Sequence, residues 1–379
     1  MYVLMVVPSD FPNGDAGAVR DMSYAKIFQD LGYSVKLIGA GKNNKEGYYN
    51  NVHYYSLFKP ANNLLEHAIR FFGSKRRYLK QIHSIIKTNG LPSVIFINDI
   101  SHGAIEELRV FATRNNIPII HDSTEWYSPC EFSFGKADKS YILKNRLNTK
   151  VIKDPIKVIG ISSYLTNHFR GRGLKSVRIP VIMDVLNTQI SSNTDDKVKM
   201  IYAGSPGKKD YLKEIILGTA QLPEKNANKI ELHILGADEY QIKELTGLDC
   251  IPSFIKIYGR VPREQVEKIM LKMDFSVLLR PPDERYSKAG FPTKVVEAMS
   301  HGVAMICNIS SDLDMYLSDG DNAIIVKGCD IDSFTESLVK VTSLNRFQIN
   351  SIKNNARELA EKQFDYRLWI DEVKTLIDF

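Results

Sequence analysis

Two kinds of stretch alternate along the chain: short, nearly unbroken apolar runs, and longer segments whose apolar residues recur every three to four positions. Residues 2–7 form one such run, 17–31 follow with helical spacing, and 33–38 form the next run. The runs at 94–97, 117–120 and 158–161 show no polar alternation, the pattern of strands covered by helices on both faces of a parallel sheet. Residues 63–87 read as one or two helices. This β–α rhythm predicts a doubly wound α/β fold.

The rhythm pauses once. Pro180 and Asp184 lead into a polar, turn-rich stretch at 191–196, and 179–198 reads as a linker between two domains. Beyond it, strands at 200–203, 230–235, 255–258 and 275–279 alternate with helices at 208–221, 238–245 and 262–271. Apolar runs at 305–307 and 323–326 and three closing helices complete the second half. The last helix, over 365–377, carries Trp369, Val373, Leu376 and Ile377 at helical spacing and must pack on something. Two doubly wound halves would bind ligands at the carboxyl ends of their strands, in a cleft between the sheets.

Composition narrows the setting. With 379 residues, 44% of them hydrophobic, the chain can bury two domain cores. Cys130, Cys250, Cys307 and Cys329 lie far apart without CxxC spacing or a histidine cluster, so neither a disulfide framework nor a zinc site is indicated. No basic-then-apolar leader opens the chain, and no apolar run approaches the ~18 residues that span a bilayer, so a cytoplasmic protein is expected. A net charge of +6 allows phosphorylated substrates or contact with an anionic membrane face. Nucleic acid is not expected, because no recognition-helix pattern, aromatic RNP-like strand or arginine-rich arm accompanies the charge. The segment 70–87 interleaves basic residues with Phe71, Phe72, Tyr78, Leu79 and Ile82; it reads as a solvated helical face or as a membrane-surface face.

Candidate chemistry concentrates at 289–306, which reads as loop, helix, tight turn and buried strand. Gly290-Phe291-Pro292 presets the first helical turn, so the amides of Thr293 and Lys294 stay free at the positive end of the helix dipole, where a phosphate fits. One turn on, Glu297 offers two acceptor oxygens suited to a pair of vicinal ribose hydroxyls, and Gly302 closes the helix. The strand at 200–203 runs into Gly204-Ser205-Pro206-Gly207-Lys208-Lys209-Asp210, glycines and two lysines opening a helix, which suits a pyrophosphate. His121 and Asp122 follow the run 117–120, overhanging the strand end. Gly14 and Gly17 precede the first helix without forming a GxGxxG fingerprint.

The 289–306 stretch resembles the donor site of retaining GT-B-fold glycosyltransferases related to glycogen synthases and bacterial mannosyltransferases (glycosyl transferases group 1). Glu297, Gly290, Phe291, Ala298, Met299 and Gly302 match that family's run, while Ala289 stands where the first of its two glutamates usually lies. The Gly-Phe-Pro-Thr-Lys variant is similar to a subgroup of bacterial surface-polysaccharide transferases in which Ser/Thr-Lys meets the diphosphate. Ile257-Tyr258-Gly259-Arg260-Val261 resembles the family's segment that reads the base edge. Lys209 matches the family's diphosphate lysine if its loop is one residue shorter. Ser205 replaces the usual arginine, a loss that Lys294 or Arg280 would offset. By the same resemblance Gly17 faces the donor phosphates and acceptor, and His121 lies beside the transferred sugar.

The resemblance implies a GT-B architecture: residues 1–185 a Rossmann-like acceptor-binding domain, 186–362 a Rossmann-like nucleotide-sugar domain, and 363–379 a helix crossing back to the first. It implies a retaining, hexosyl-type glycosyltransferase with His121, Lys209 and Glu297 as catalytic residues. Gly17, Gly204, Lys209, Gly259, Arg260, Arg280, Gly290, Phe291, Thr293, Lys294 and Glu297 would bind the nucleotide sugar. No cofactor or metal is expected beyond that donor. The acceptor would be a saccharide or polyprenyl-linked saccharide, met in the cytoplasm or peripherally at the inner membrane face during surface-polysaccharide assembly. Two other accounts are a catalytically silent partner subunit, prompted by Ala289 and Ser205, and a sugar-nucleotide epimerase, which needs more acid/base groups around the sugar.

Overall fold

A computed structural model describes the chain except residues 13–14, 42–45, 58–63, 205–206, 208 and 379; for 64–73 it describes the backbone alone. The chain clusters into two units, Met1–Met183 with Tyr366–Phe379, and Asp184–Asp365. Each is built on one sheet.

The first unit strings β1 (Tyr2–Val6), β2 (Ser34–Gly39), β3 (Glu46–Tyr49), β4 (Val52–Ser56), β5 (Val94–Ile97), β6 (Ile119–Ser123), β7 (Lys157–Gly160) and β8 (Ser176–Arg178) into a sheet of order β3-β4-β2-β1-β5-β6-β7-β8. All neighbours are parallel except β3, which pairs antiparallel with β4 at the edge. β1, β5 and β6 are buried at every position, as their unbroken apolar runs require once helices cover both faces. Tyr24 and Phe28 of the helix Ala16–Asp30 pack on Phe96 of β5. Tyr366, Val373 and Leu376 join the same core, and the Tyr366 amide donates to the Met183 carbonyl. The chain's last helix, Ile370–Ile377, thus belongs to the first unit.

The 63–87 stretch is a single helix, Leu64–Asn89. Tyr78, Ile82 and Ile85 point inward while Lys75, Arg76, Arg77 and Lys80 are exposed; the Phe71 and Phe72 side chains lie outside the described residues.

The second unit carries β9 (Val198–Ala203), β10 (Ile230–Leu235), β11 (Ile255–Gly259), β12 (Phe275–Leu278), β13 (Ala304–Cys307) and β14 (Ala323–Ile325), all parallel, in the order β11-β10-β9-β12-β13-β14. From β9 the chain winds outward through β10 and β11, then returns to the other side of β9 with β12. The loops leaving β9 and β12 therefore diverge, and a crevice opens at their carboxyl ends. In the first sheet β1 and β5 stand in the same relation.

Two local expectations shift. His121 and Asp122 do not overhang a strand end: β6 extends to Ser123, because its backbone stays in register with β5 through His121 and with β7 through Ser123. Ile117 belongs to the turn before it, where its amide donates to the Ala112 carbonyl. Lys209 likewise does not open a helix. The helix after β9 starts at Leu212, held off by a turn in which the Tyr211 amide donates to the Leu279 carbonyl.

Candidate functional site

In the second unit the β9/β12 crevice collects charge. Gly204 and Asp210 come from the loop after β9, Arg280 follows β12, and Lys294 lies in the first turn of the helix Thr293–Ser300. Arg280 Nε donates to Asp210 Oδ1 at 2.7 Å, and Lys294 Nζ donates to Asp210 Oδ2 at 2.5 Å. The Tyr202 hydroxyl at the end of β9 donates to Oδ2 at 3.0 Å. Lys294 Nζ also sits 4.1 Å from the centre of the Tyr202 ring, within cation–π range. Burial pushes the Asp210 carboxyl up, but the Arg280 and Lys294 charges push it further down, to about 2. Burial holds the Lys294 ammonium below its ordinary value against the pull of Asp210.

Small residues make this packing feasible. A Cβ on Gly204 would lie 2.5 Å from Lys294 Nζ, so any side chain there displaces the ammonium. The Arg280 backbone is pinned on both sides: its amide donates to Asn308 Oδ1 at 2.9 Å, and its carbonyl accepts from Asn308 Nδ2 at 2.7 Å. Lys209 Nζ lies 5.9 Å from the Tyr286 ring centre.

One turn after Lys294, the partly exposed Glu297 has Oε1 3.6 Å from Arg263. Burial raises its carboxyl while Arg263 and Lys294 oppose the rise. Phe291 packs edge-on against Tyr316 and Phe364, which seats the entry to this helix. Gly290 ends the preceding short helix, Arg285–Ala289, and its carbonyl accepts from Ser311 Oγ. Ala289 is fully buried. At the helix end Gly302 (φ 65) donates to Met299 O and Val303 to Ala298 O, a Schellman closure. Gly259 ends β11 at φ 65 beside the exposed Arg260.

In the first unit Gly17 is exposed in the first turn of its helix, which Asp15 caps by accepting from the Ala18 amide at 2.8 Å. His121 is 0% exposed, and both ring nitrogens lack a hydrogen-bond partner among the described residues. Burial lowers its pKa to about 4. Asp122, on the opposite face of β6, is bound by Arg20 through two bonds of 2.8 and 2.9 Å, so it does not orient the imidazole.

The structure thus gathers Gly204, Arg280 and Lys294 tightly, sets Lys209 beside Asp210 and Glu297 one turn after Lys294, and leaves Gly259 and Arg260 at the end of the edge strand β11, two strands away from β9. Sequence reasoning missed Asp210 and Tyr202. A carboxylate directly after two lysines was the available signal for the first; Tyr202 reads only as strand. Among the described residues no group of three or more His, Cys, Asp or Glu is arranged to hold a metal, and no helix is long and apolar enough to cross a membrane.

All of the crevice lies inside residues 186–359, which match the family model described as Glycosyl transferases group 1. The second unit, Asp184–Asp365, matches that family model over nearly all of its length. A relative from Methanocaldococcus jannaschii, described as uncharacterized glycosyltransferase MJ1069, is 23% identical over 248 residues, covering 65% of this chain. The match spans 57% of that relative's own length. Sucrose-phosphate synthase from Thermosynechococcus elongatus aligns over 99% of this chain and 98% of its own, with TM-score 0.77 at 12% identity. WaaG, a glycosyltransferase involved in lipopolysaccharide biosynthesis, aligns over 99% of both chains with TM-score 0.70 at 13% identity. Anabaena Alr3699/HepE, solved in complex with UDP and glucose, covers 99% of this chain and 98% of its own with TM-score 0.69 at 15% identity. The two units therefore share the GT-B fold of two Rossmann-like domains.

Proposed function

We propose that this protein is a retaining glycosyltransferase that moves a sugar from a nucleoside-diphosphate sugar to a saccharide or lipid-linked saccharide, in assembly of a surface polysaccharide. The observation that carries the reading is the placement of Arg280 and Lys294 in the β9/β12 crevice one helical turn from Glu297. Cations in a crevice at the start of a helix suit a diphosphate, and a carboxylate one turn away suits a ribose diol.

In the proposed reaction the bond between the anomeric carbon and the diphosphate oxygen breaks as negative charge grows on the leaving group. Lys209, Lys294, Arg280 and the amides of Thr293 and Lys294 offset that charge, so the sugar passes through an oxocarbenium-like state. The acceptor hydroxyl bonds to the same face of the anomeric carbon, and its proton passes to a diphosphate oxygen. The products are the glycoside and the nucleoside diphosphate. Two buried ring nitrogens without a partner among the described residues suit His121 to a sugar hydroxyl. Gly290 and Phe291 shape the donor loop, Gly259 and Arg260 face the base, and Gly17 leaves room for the acceptor.

Calorimetric titration with UDP, GDP and ADP tests the reading, and UDP is the first choice because HepE was solved with it. We expect one of the three to bind, and Glu297→Ala and Lys209→Ala each to weaken it by about tenfold or more, the size of a lost charged hydrogen bond. Binding should persist in EDTA, since cationic side chains supply the charge. Indifference to all three nucleotides would remove the donor-site assignment.

A further inference from the structure

Two cations brought together in a partly buried crevice repel one another, and burial penalises each charge separately. Arg280 and Lys294 nevertheless share a single carboxylate, one on each oxygen of Asp210. That side chain is 8% exposed and takes a third donor, the Tyr202 hydroxyl. Among the described residues, the Lys294 ammonium is otherwise met only by the face of the Tyr202 ring. Gly204 leaves the space through which the ammonium reaches the carboxylate.

We propose that Asp210 is a positioning residue that holds Arg280 and Lys294 as one preorganised, diphosphate-binding unit. The inference rests on the donor-site reading above and assigns a role to a residue which that reading leaves unused. A rigid fork of two donors aimed at one locus is worth more to a diphosphate than two mobile cations, because their orientation need not be fixed at binding. Asp210 lowers the net charge of the crevice, so simple Coulomb attraction makes the opposite forecast: removing it should tighten anion binding. The sign of the effect separates the two ideas.

The test uses the full chain and UDP, GDP and ADP as probes, with wild type, Asp210→Asn, Lys294→Ala and the double variant, each checked for cooperative melting. Asp210→Asn is expected to weaken the nucleotide that binds by about tenfold or more at pH 7.5. In the double variant the two losses should be strongly non-additive, because Asp210 acts through Lys294. A pH series adds a readout that a merely structural role would not move. Lys294 faces Asp210, Tyr202, Arg280 and Glu297; without the Asp210 carboxylate, burial and Arg280 are less opposed, so affinity should fall away at lower pH than in wild type.

Equal or tighter binding by Asp210→Asn, or additive losses, would overturn the proposal while leaving the donor site intact. Should the asparagine variant not fold, Asp210→Glu keeps the charge but moves it by one methylene; a loss of about threefold or more supports positioning, and unchanged affinity overturns it. A wild type that binds none of the three nucleotides overturns the donor-site reading and the proposal with it.

Discussion

At the residue scale the informative side chains are those whose burial conflicts with their polarity. His121 is fully enclosed with neither nitrogen satisfied among the described residues, so the neutral ring is the form the fold accepts. Its folded pKa of about 4 lies below the ordinary 6.5. The folded chain therefore binds fewer protons than the unfolded one between those values, and the contribution present above pH 6.5 is lost as pH falls toward 4. Proton NMR should follow the ring as neutral down to pH 5, and between pH 7 and 5 wild type should lose about 2 kcal/mol more stability than His121→Gln. A midpoint near 6.5 would place the ring in water.

Residue types were the legible part of this site, and their partners were not. Lys294 and Glu297 stand out in the sequence because a proline-started helix with those residues suits a phosphorylated ligand. Asp210 carries no such mark. Its two cationic partners lie 70 and 84 positions away, and nothing local to residue 210 announces them.

At the element scale the helix Thr293–Ser300 is short, and its ends do much of the work of placing Lys294. Pro292 precedes it, Phe291 is wedged between Tyr316 and Phe364, and Gly302 closes it in the left-handed region. A Cβ at Gly302 would also come within 2.9 Å of Ile190 Cγ2. Gly302→Ala is expected to cost about 1–2 kcal/mol, from the positive φ and the displaced isoleucine, and to lower the melting temperature of the second unit by a few degrees. An unchanged melting curve would show that the turn tolerates a side chain. Helix and strand identities follow closely from apolar spacing, because period 2 and period 3.6 are local properties of the backbone. Their ends were harder to read. β6 runs on through His121 and Asp122 since β5 pairs with it as far as His121 and β7 as far as Ser123, and the helix after β9 waits until Leu212, where the Tyr211 amide is bound to the Leu279 carbonyl.

On the scale of the whole molecule, the two units are not consecutive stretches of chain. Tyr366, Val373 and Leu376 fill the core between the first sheet and the helix Ala16–Asp30, and Lys157 Nζ donates to the Leu376 carbonyl at 2.9 Å. Truncation after Asp365 should strip several buried side chains at about 1.5–3 kcal/mol each from the first unit while leaving the second intact. Hydrogen exchange read by mass spectrometry should then show lost protection in β1, β2 and β5 with β9, β12 and β13 unchanged. Equal loss in both units would contradict the division.

Apolar periodicity and a few dipeptides were sufficient for the α/β class, the doubled architecture and the helix start after Pro292, because each depends on residues a few positions apart. Tertiary structure was needed to set β9 beside β12, to close Asp210 on Arg280 and Lys294, and to return the last helix to the first unit. These contacts join positions remote in sequence, and short-range backbone preferences carry no information about them.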